Sequence, residues 1–397
     1  MERSTGSNMQ IQGQRTQSTA IVKVQQEPSI KIEPTVGGQL LRKLFQIIFF
    51  VQLFLVSILV IVLTIRGLIY AGSTDRFHPK KWYPPLLVST ASAGIVSFIW
   101  QSITFHCPSK AIKTVFWFTP LLTCAVGVLH ILIGSPLSLA AVYSSFSVTG
   151  IGGATATGTS LDIAFIVVIL LSFLWSMQVI KNMLYVTISR IRYMNFACGV
   201  DINTRATFHD TVKHFVGSVC IGSAIVPVIG TIRGSARAIN LVAGDNDEFL
   251  FSCADCYSGF ASTLITYGNR WGFVHVGVYN KGFIQASADT WEMFKRVELI
   301  SLIDSDLTGV FCFLSGVAVG SICGIVGGTW ELIIHKGYAT EVSIYAFLIG
   351  YFMCRIALAW QQASVSAYYV SYAENPQSLR FDATIPVRIE QLHRFQV

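Results

Sequence analysis

The fifteen residues NRWGFVHVGVYNKGF, 269–283, contain two cations, four aromatic rings, a histidine, three glycines and two asparagines. Such a mixture supports two kinds of chemistry. In one, the stretch is an amphipathic element at a membrane surface, with its rings among lipid headgroups and Arg270 and Lys281 meeting anionic lipid. In the other it is a gate or hinge, Asn269, Arg270, Phe273, Gly277 and Phe283, whose glycines let irregular backbone line a cavity. Glycines 272, 277 and 282 recur every five residues and so do not share a helical face.

Two further ionisable residues stand inside apolar text. Asp255 occurs in DEFLFSCADCYSGFASTLITYG, with Tyr257 and Tyr267 after it, and Arg355 lies near the centre of an apolar stretch over 342–366. A charge in hydrocarbon is expensive and faces a partner or a water-filled cavity. Asp255 and Arg355 therefore read either as a structural pair or, with the two tyrosines, as part of a substrate pocket; a carboxylate at a frayed helix end is the third possibility.

Other constellations carry less. Cys253 and Cys256 form a C-x-x-C without a second pair at zinc spacing, and most other cysteines sit in apolar segments as small hydrophobes. The run GIGGATATG at 150–158 lacks the Lys-Ser/Thr of a phosphate loop. Asp306 precedes an apolar stretch and reads as a helix cap rather than a metal ligand. Trp330-Glu331 and Trp360 read as interface anchors. His130, His209, His214 and His275 titrate near neutral pH in principle, but lone histidines are ordinarily structural. No H-E-x-x-H or convergent nucleophile occurs, so no catalytic residue, metal or cofactor is expected.

The elements that would position these residues follow from composition. The 397 residues are 52% hydrophobic and 12% charged, with mean hydropathy +0.57. That is roughly half the charge of a soluble domain, which makes a bilayer the main solvent. The net charge of +7 is scattered between apolar blocks rather than gathered on one face, so a nucleic-acid partner is not indicated. Leu44–Ile65 is an uncharged run of twenty-two residues, enough to cross about 30 Å of hydrocarbon. Further spans are expected near 84–104, 114–134, 161–180, 211–232, 249–267, 308–334 and 342–366, making about eight. The fold class is an all-α polytopic membrane helix bundle over 44–366. It is flanked by a disordered tail, 1–43, and a C-terminal tail, 367–397. Stretch 137–150 is too short to cross and reads as re-entrant or interfacial.

With the N-terminus inside, the cytoplasmic connections hold 19 Lys and Arg against 7 on the other face, which predicts cytoplasmic termini. The first outer loop, with Arg66, Arg76, Lys80 and Lys81, dissents. No N-x-S/T acceptor is available to check sidedness.

The order Asn269-Arg270, Phe273, Gly277, Phe283 and ASAD at 286–289 resembles a motif of the choline transporter-like family (solute carrier family 44). Arg270 stands where that family usually has lysine. ADTWEMFKR and YAENPQSLRFDATIPVRIEQL look like its plant branch, and the resemblance covers roughly 85–397. It implies a multi-pass carrier for choline and related amines at the plasma membrane, with Golgi-derived and endosomal membranes as the alternative. It also implies about ten spans. The chain would then lack an internal segment near Ala141–Val142, where GSPLSLAA runs directly into VYSSFSVTG. Quaternary ammonium cannot donate hydrogen bonds and is held by aromatic faces; the chain offers 8 Trp, 14 Tyr and 27 Phe. Asp255, Tyr257, Tyr267 and Arg355 are the expected pocket. Membrane lipid is the other expected partner, and oligomeric state has no signature. The competing readings are a non-transporting membrane scaffold or shortened inactive form, and an intramembrane lipid enzyme.

Overall fold

The computed structural model describes residues 36–70, 79–115, 118, 160–243, 257, 259–261, 263–334, 339–378, 381 and 384–395. All regular structure among them is helical. The expected spans over 114–134 and most of 249–267, the stretch 137–150, the Ala141–Val142 junction, and Asp255 with the C-x-x-C lie outside the described residues.

Among the described residues, twelve α-helices have defined bounds: α1 (Val36–Tyr70), α2 (Pro79–His106), α3 (Ser160–Tyr193), α4 (Thr204–His214), α5 (Val216–Ala243) and α6 (Gly272–Tyr279), then α7 (Phe283–Arg296), α8 (Ile300–Asp304), α9 (Thr308–Ile334), α10 (Ala339–Ala357), α11 (Ala359–Glu374) and α12 (Thr384–Phe395). Among the described residues, six stretches are long and apolar enough to cross a membrane: Gly38–Val62, Pro84–His106, Val167–Cys198, Val216–Ala236, Ile300–Ile334 and Val342–Glu374. They correspond to the six expected spans that fall on described residues. The outward face of α1 exposes Phe54, Leu55 and Ile61 (66%, 58% and 58%), as a helix solvated by lipid does.

Helix α3 is the central post. Asn182 donates to Ser223 of α5 at 2.9 Å, Tyr185 to Ser366 of α11 at 2.5 Å, and Gln52 of α1 to Ser176 at 3.2 Å. Such bonds satisfy polar groups where hydrocarbon cannot. The post ends in a π-turn, Met194–Cys198, closed by Gly199 at φ 68° in the left-handed region. There glycine avoids the strain a Cβ would bring.

The tightest helix pair is α9 with α10. Gly316, Gly320, Gly324 and Gly328 recur every fourth residue and so share one face. Along α10, Tyr351, Phe347, Ser343 and Ala339 meet them in antiparallel order. This extends the small-xxx-small pattern of membrane helix pairs over four steps.

Several boundaries differ from expectation. Helix α5 continues to Ala243 rather than stopping at 232, so Arg233 belongs to the bundle and not to an outer loop. Helix α3 continues to Tyr193, which takes Lys181 out of a connection and into the bundle. Both side chains line an interior cavity, which window hydropathy cannot register. Helix α1 begins at Val36, inside the expected tail. The tail beyond 367 is also partly ordered. Helix α11 runs to Glu374, and Ile385, Ile389 and Leu392 of α12 join the apolar cluster around Trp271, Phe294 and Leu302.

Candidate functional site

The first part of the 269–283 stretch is interior, whereas Asn280 near its far end is exposed. Gly272 through Gly277 are all buried, with Phe273 at 1% and Val274 and Val276 at 0% exposure. For Trp271, Phe273 and Phe283 the headgroup reading is corrected: these three rings are enclosed by protein, and Tyr279 is half-buried. Phe273 packs on Phe283 with ring centroids 4.8 Å apart, and on Tyr185 at 5.8 Å. Gly272 lets α6 meet Ser287 of α7, since a Cβ would lie 2.8 Å from the Ser287 Cα. Gly277 lets the same helix approach Val186.

Asn269 is the brace of this segment. Its Nδ2 donates to the carbonyls of Ile265 (3.1 Å) and Ser287 (2.9 Å), while its Oδ1 accepts from the Gly272 N–H at 3.0 Å. One side chain thus ties together the preceding helical turn, the start of α6 and α7. Arg270 stacks over Trp271, 4.0 Å from the ring centroid, and forms an ion pair with Asp306. The other oxygen of Asp306 accepts from the Thr308 N–H at 3.0 Å, so the expected cap of α9 is present and is also an ion-pair partner.

These residues form one wall of a cavity of about 1360 Å³ among α1, α3, α5, α9, α10 and α11. Asn269, Arg270 and Phe273 contribute to its lining, as does Arg355; Gly277 and Phe283 stand behind it. On the α3 side are Trp175, Gln178, Lys181 and Tyr185. On the α9 and α10 side are Phe313, Tyr351 and Phe352, whose rings touch in sequence at 6.1 Å and 5.2 Å. Pro227 of α5 also faces the space; it has no N–H for the Ser223 carbonyl, which loosens the helix there. The long Val342–Glu374 span is interrupted at Leu358, between the cavity residues Arg355 and Gln362. No proline or glycine stands at that break.

Of the residues expected to bind substrate, only Arg355 reaches the cavity among the described ones. Tyr257 hydrogen-bonds Ser235 at 3.0 Å, and Tyr267 is 53% exposed; neither is on its wall. Lys181, Arg233, Asp304 and Asp306 are on the wall and were not expected there. Arg233 pairs with Asp304 at 2.5 Å. The sequence signal for Lys181 was its position inside the uninterrupted apolar pattern that continues past residue 180. For Gly309 and Gly316 it was their heptad spacing, which makes room on α9 for the side chains of Arg270 and Arg355.

A polar cluster closes the end of the bundle beyond α6. Glu374 accepts from Tyr193 and from Tyr279 (2.7 Å), and His275 Nε2 lies 3.4 Å from it. His275 Nδ1 meets Thr290 at 2.9 Å, the structural role expected of a lone buried histidine. Burial, followed by the nearby Glu374 charge, raises the Tyr279 phenol above its ordinary range. Glu331, expected at an interface beside the 39%-exposed Trp330, is fully buried. Trp360 carries Arg192 over its ring at 5.5 Å. No group of three or more metal-ligating side chains occurs among the described residues.

Comparison with known proteins gives a consistent picture. Residues 115–377 match a family model described as plasma-membrane choline transporter. Protein PNS1 of Mycosarcoma maydis is 24% identical over 254 residues, covering 60% of this chain and 48% of its own length. Protein PNS1 of Neurospora crassa is 26% identical over 233 residues, covering 55% and 42%. A CTL-like protein of Dictyostelium discoideum is 24% identical over 220 residues, covering 52% and 38%. The chain spans about half the length of the curated relatives it matches, or somewhat less.

Proposed function

The chain belongs to the choline transporter-like family, and from that premise we propose that it carries choline or a related quaternary amine across the membrane by alternating access. The observation that carries this reading is the cavity, a space of about 1360 Å³ between apolar helices, lined in part by Trp175, Phe313, Tyr351 and Phe352. Aromatic faces attract an ammonium that can make no hydrogen bonds, and a desolvated site strengthens that attraction to about 2 kcal/mol per well-placed ring. Arg270 with Asp306, the Asn269 brace and the break at Leu358 mark the wall that would move. Gating motions use a few residues at element ends to absorb backbone rotation. Asp255 remains a proposed contributor of negative charge. Both termini are assigned to the cytoplasm from the Lys and Arg distribution, and the plasma membrane is the proposed home.

Uptake of radiolabelled choline into vesicles containing the 397-residue chain tests the proposal. Saturable uptake that Trp175→Ala or Tyr351→Ala weakens would support it. A correctly inserted chain that neither binds nor moves choline would sink it and favour a non-transporting scaffold. A version lengthened at Ala141–Val142 tests the proposed internal loss: uptake by the lengthened chain alone would support that loss.

A further inference from the structure

The cavity wall carries more positive than negative charge. Four cations face it, Lys181, Arg233, Arg270 and Arg355, against the two carboxylates of Asp304 and Asp306. Both carboxylates are engaged, by Arg233 and Arg270 respectively. Lys181 and Arg355 remain. Lys181 is 7% exposed, and Arg355 Nη1 is buried with no hydrogen-bond partner among the described residues. Both line the same cavity. Charging two side chains on one wall of an apolar bundle is costly, and an anion bound beside them lowers that cost.

The space beside them is built. Gly316 admits the Arg355 stem, because a Cβ there would lie 3.1 Å from Arg355 Cγ. Gly309, two turns earlier on the same face of α9, leaves room for the Arg270 guanidinium and stands near Gln362. Lys181 follows Trp175 by six residues on α3, about 9 Å along the axis. The Phe173 and Phe352 rings meet with centroids 5.7 Å apart near the Trp175 level, and Tyr185 and Phe273 line the cavity on the other side of Lys181, so rings flank the lysine along α3.

We infer that Lys181 and Arg355 bind an oxyanion, a carboxylate or phosphate, within this cavity. The inference rests on the reading of the cavity as the substrate site. The anion has two possible sources. One is the far end of a zwitterionic cargo whose quaternary ammonium sits against the rings; the other is a free small anion bound beside a simple amine.

The test is binding to the purified full-length chain in detergent, followed by Trp fluorescence and by calorimetry. The probes are choline, glycine betaine, phosphocholine and inorganic phosphate. A zwitterionic cargo predicts that betaine or phosphocholine binds about tenfold or more tightly than choline. It also predicts that Lys181→Met and Arg355→Met each abolish that preference, whereas Lys181→Arg keeps it. A free anion predicts that phosphate binds without displacing choline, tightens choline binding, and is lost in the same two variants. Either pattern supports the site. Failure of every anionic probe to bind the native chain, or anion binding unchanged in both Met variants, would overturn it. Loss of choline binding alone, with anion binding intact, would count against the choline reading and leave the anion site standing. Retained thermal unfolding of the Met variants separates loss of the site from loss of the fold.

Discussion

Arg270 and Asp306, thirty-six residues apart in the chain, meet as an ion pair in which Asp306 is 5% and Arg270 22% exposed. The pair joins the buried segment before α6 to the first turn of α9. Removing one partner strands the other charge in a poorly solvated place. Arg270→Met or Asp306→Asn is expected to destabilise by about 3 kcal/mol, and the double variant Arg270→Met/Asp306→Leu by less than the sum. Thermal and denaturant unfolding in detergent would show this; additive losses would mean that the two side chains do not act as a pair.

The glycine face of α9 predicts a sharper steric response. A Cβ on Gly320 would stand 2.8 Å from the Phe347 carbonyl oxygen, which is backbone and cannot swing aside. Gly320→Ala should cost about 1–3 kcal/mol by forcing α9 and α10 apart. Gly94, with nothing within 4 Å of the corresponding position, should accept alanine without loss. Equal melting shifts for the two variants would refute the close-packing account.

Acid sensitivity follows from Asp210. The hydrogen bond from Arg190 holds its carboxyl below the ordinary range. A carboxyl whose folded pKa is depressed contributes stability above its unfolded pKa, about 3.9, and loses it as pH falls toward the folded value. Arg190→Met should therefore be less stable than the native chain near pH 5, and the gap should close as the pH falls through the depressed folded value. The contribution is modest because both groups are partly solvated. Parallel stability curves for the two proteins across that window would remove Asp210 from the explanation.

The aromatic wall predicts weakened amine binding without a change of fold. Replacing Trp175 or Tyr351 by Leu should reduce choline affinity by about 3- to 30-fold, the loss of one cation–π face. Tyr267→Leu, at an exposed position away from the cavity, should have no effect. Calorimetric titration would compare the three, and a larger effect from Tyr267 would move the site.

The Asn269 brace predicts a conformational phenotype. Asn269→Ala leaves the carbonyls of Ile265 and Ser287 and the Gly272 N–H without their shared partner. Protease or hydrogen-exchange protection over 265–290 should fall. Unchanged protection would show that apolar packing alone holds the segment.

The apolar runs by themselves determined that this is a membrane helix bundle, and approximately where six of its helices cross. An uninterrupted stretch such as Leu44–Ile65 has one stable environment, because only a helix satisfies its backbone in lipid. The motif around Asn269 likewise carried the family resemblance, since it depends on residue order alone. The four-residue spacing from Gly316 to Gly328 was equally legible, although only Tyr351, Phe347, Ser343 and Ala339 opposite it show what the spacing serves. Burial of 272–277 was not legible: a short segment with aromatics and glycines suits a headgroup layer as well as an interior, and packing against α3, α7 and α11 decided between them. The charges were least legible of all. Hydropathy summed over a window treats Lys181 and Arg233 as ends of spans, whereas tertiary structure puts both on the cavity wall and gives Arg233 a partner in Asp304, distant in sequence. Which cations are paired, by Asp304 and Asp306, and which are left facing the cavity, Lys181 and Arg355, depends on distances that only the folded bundle sets.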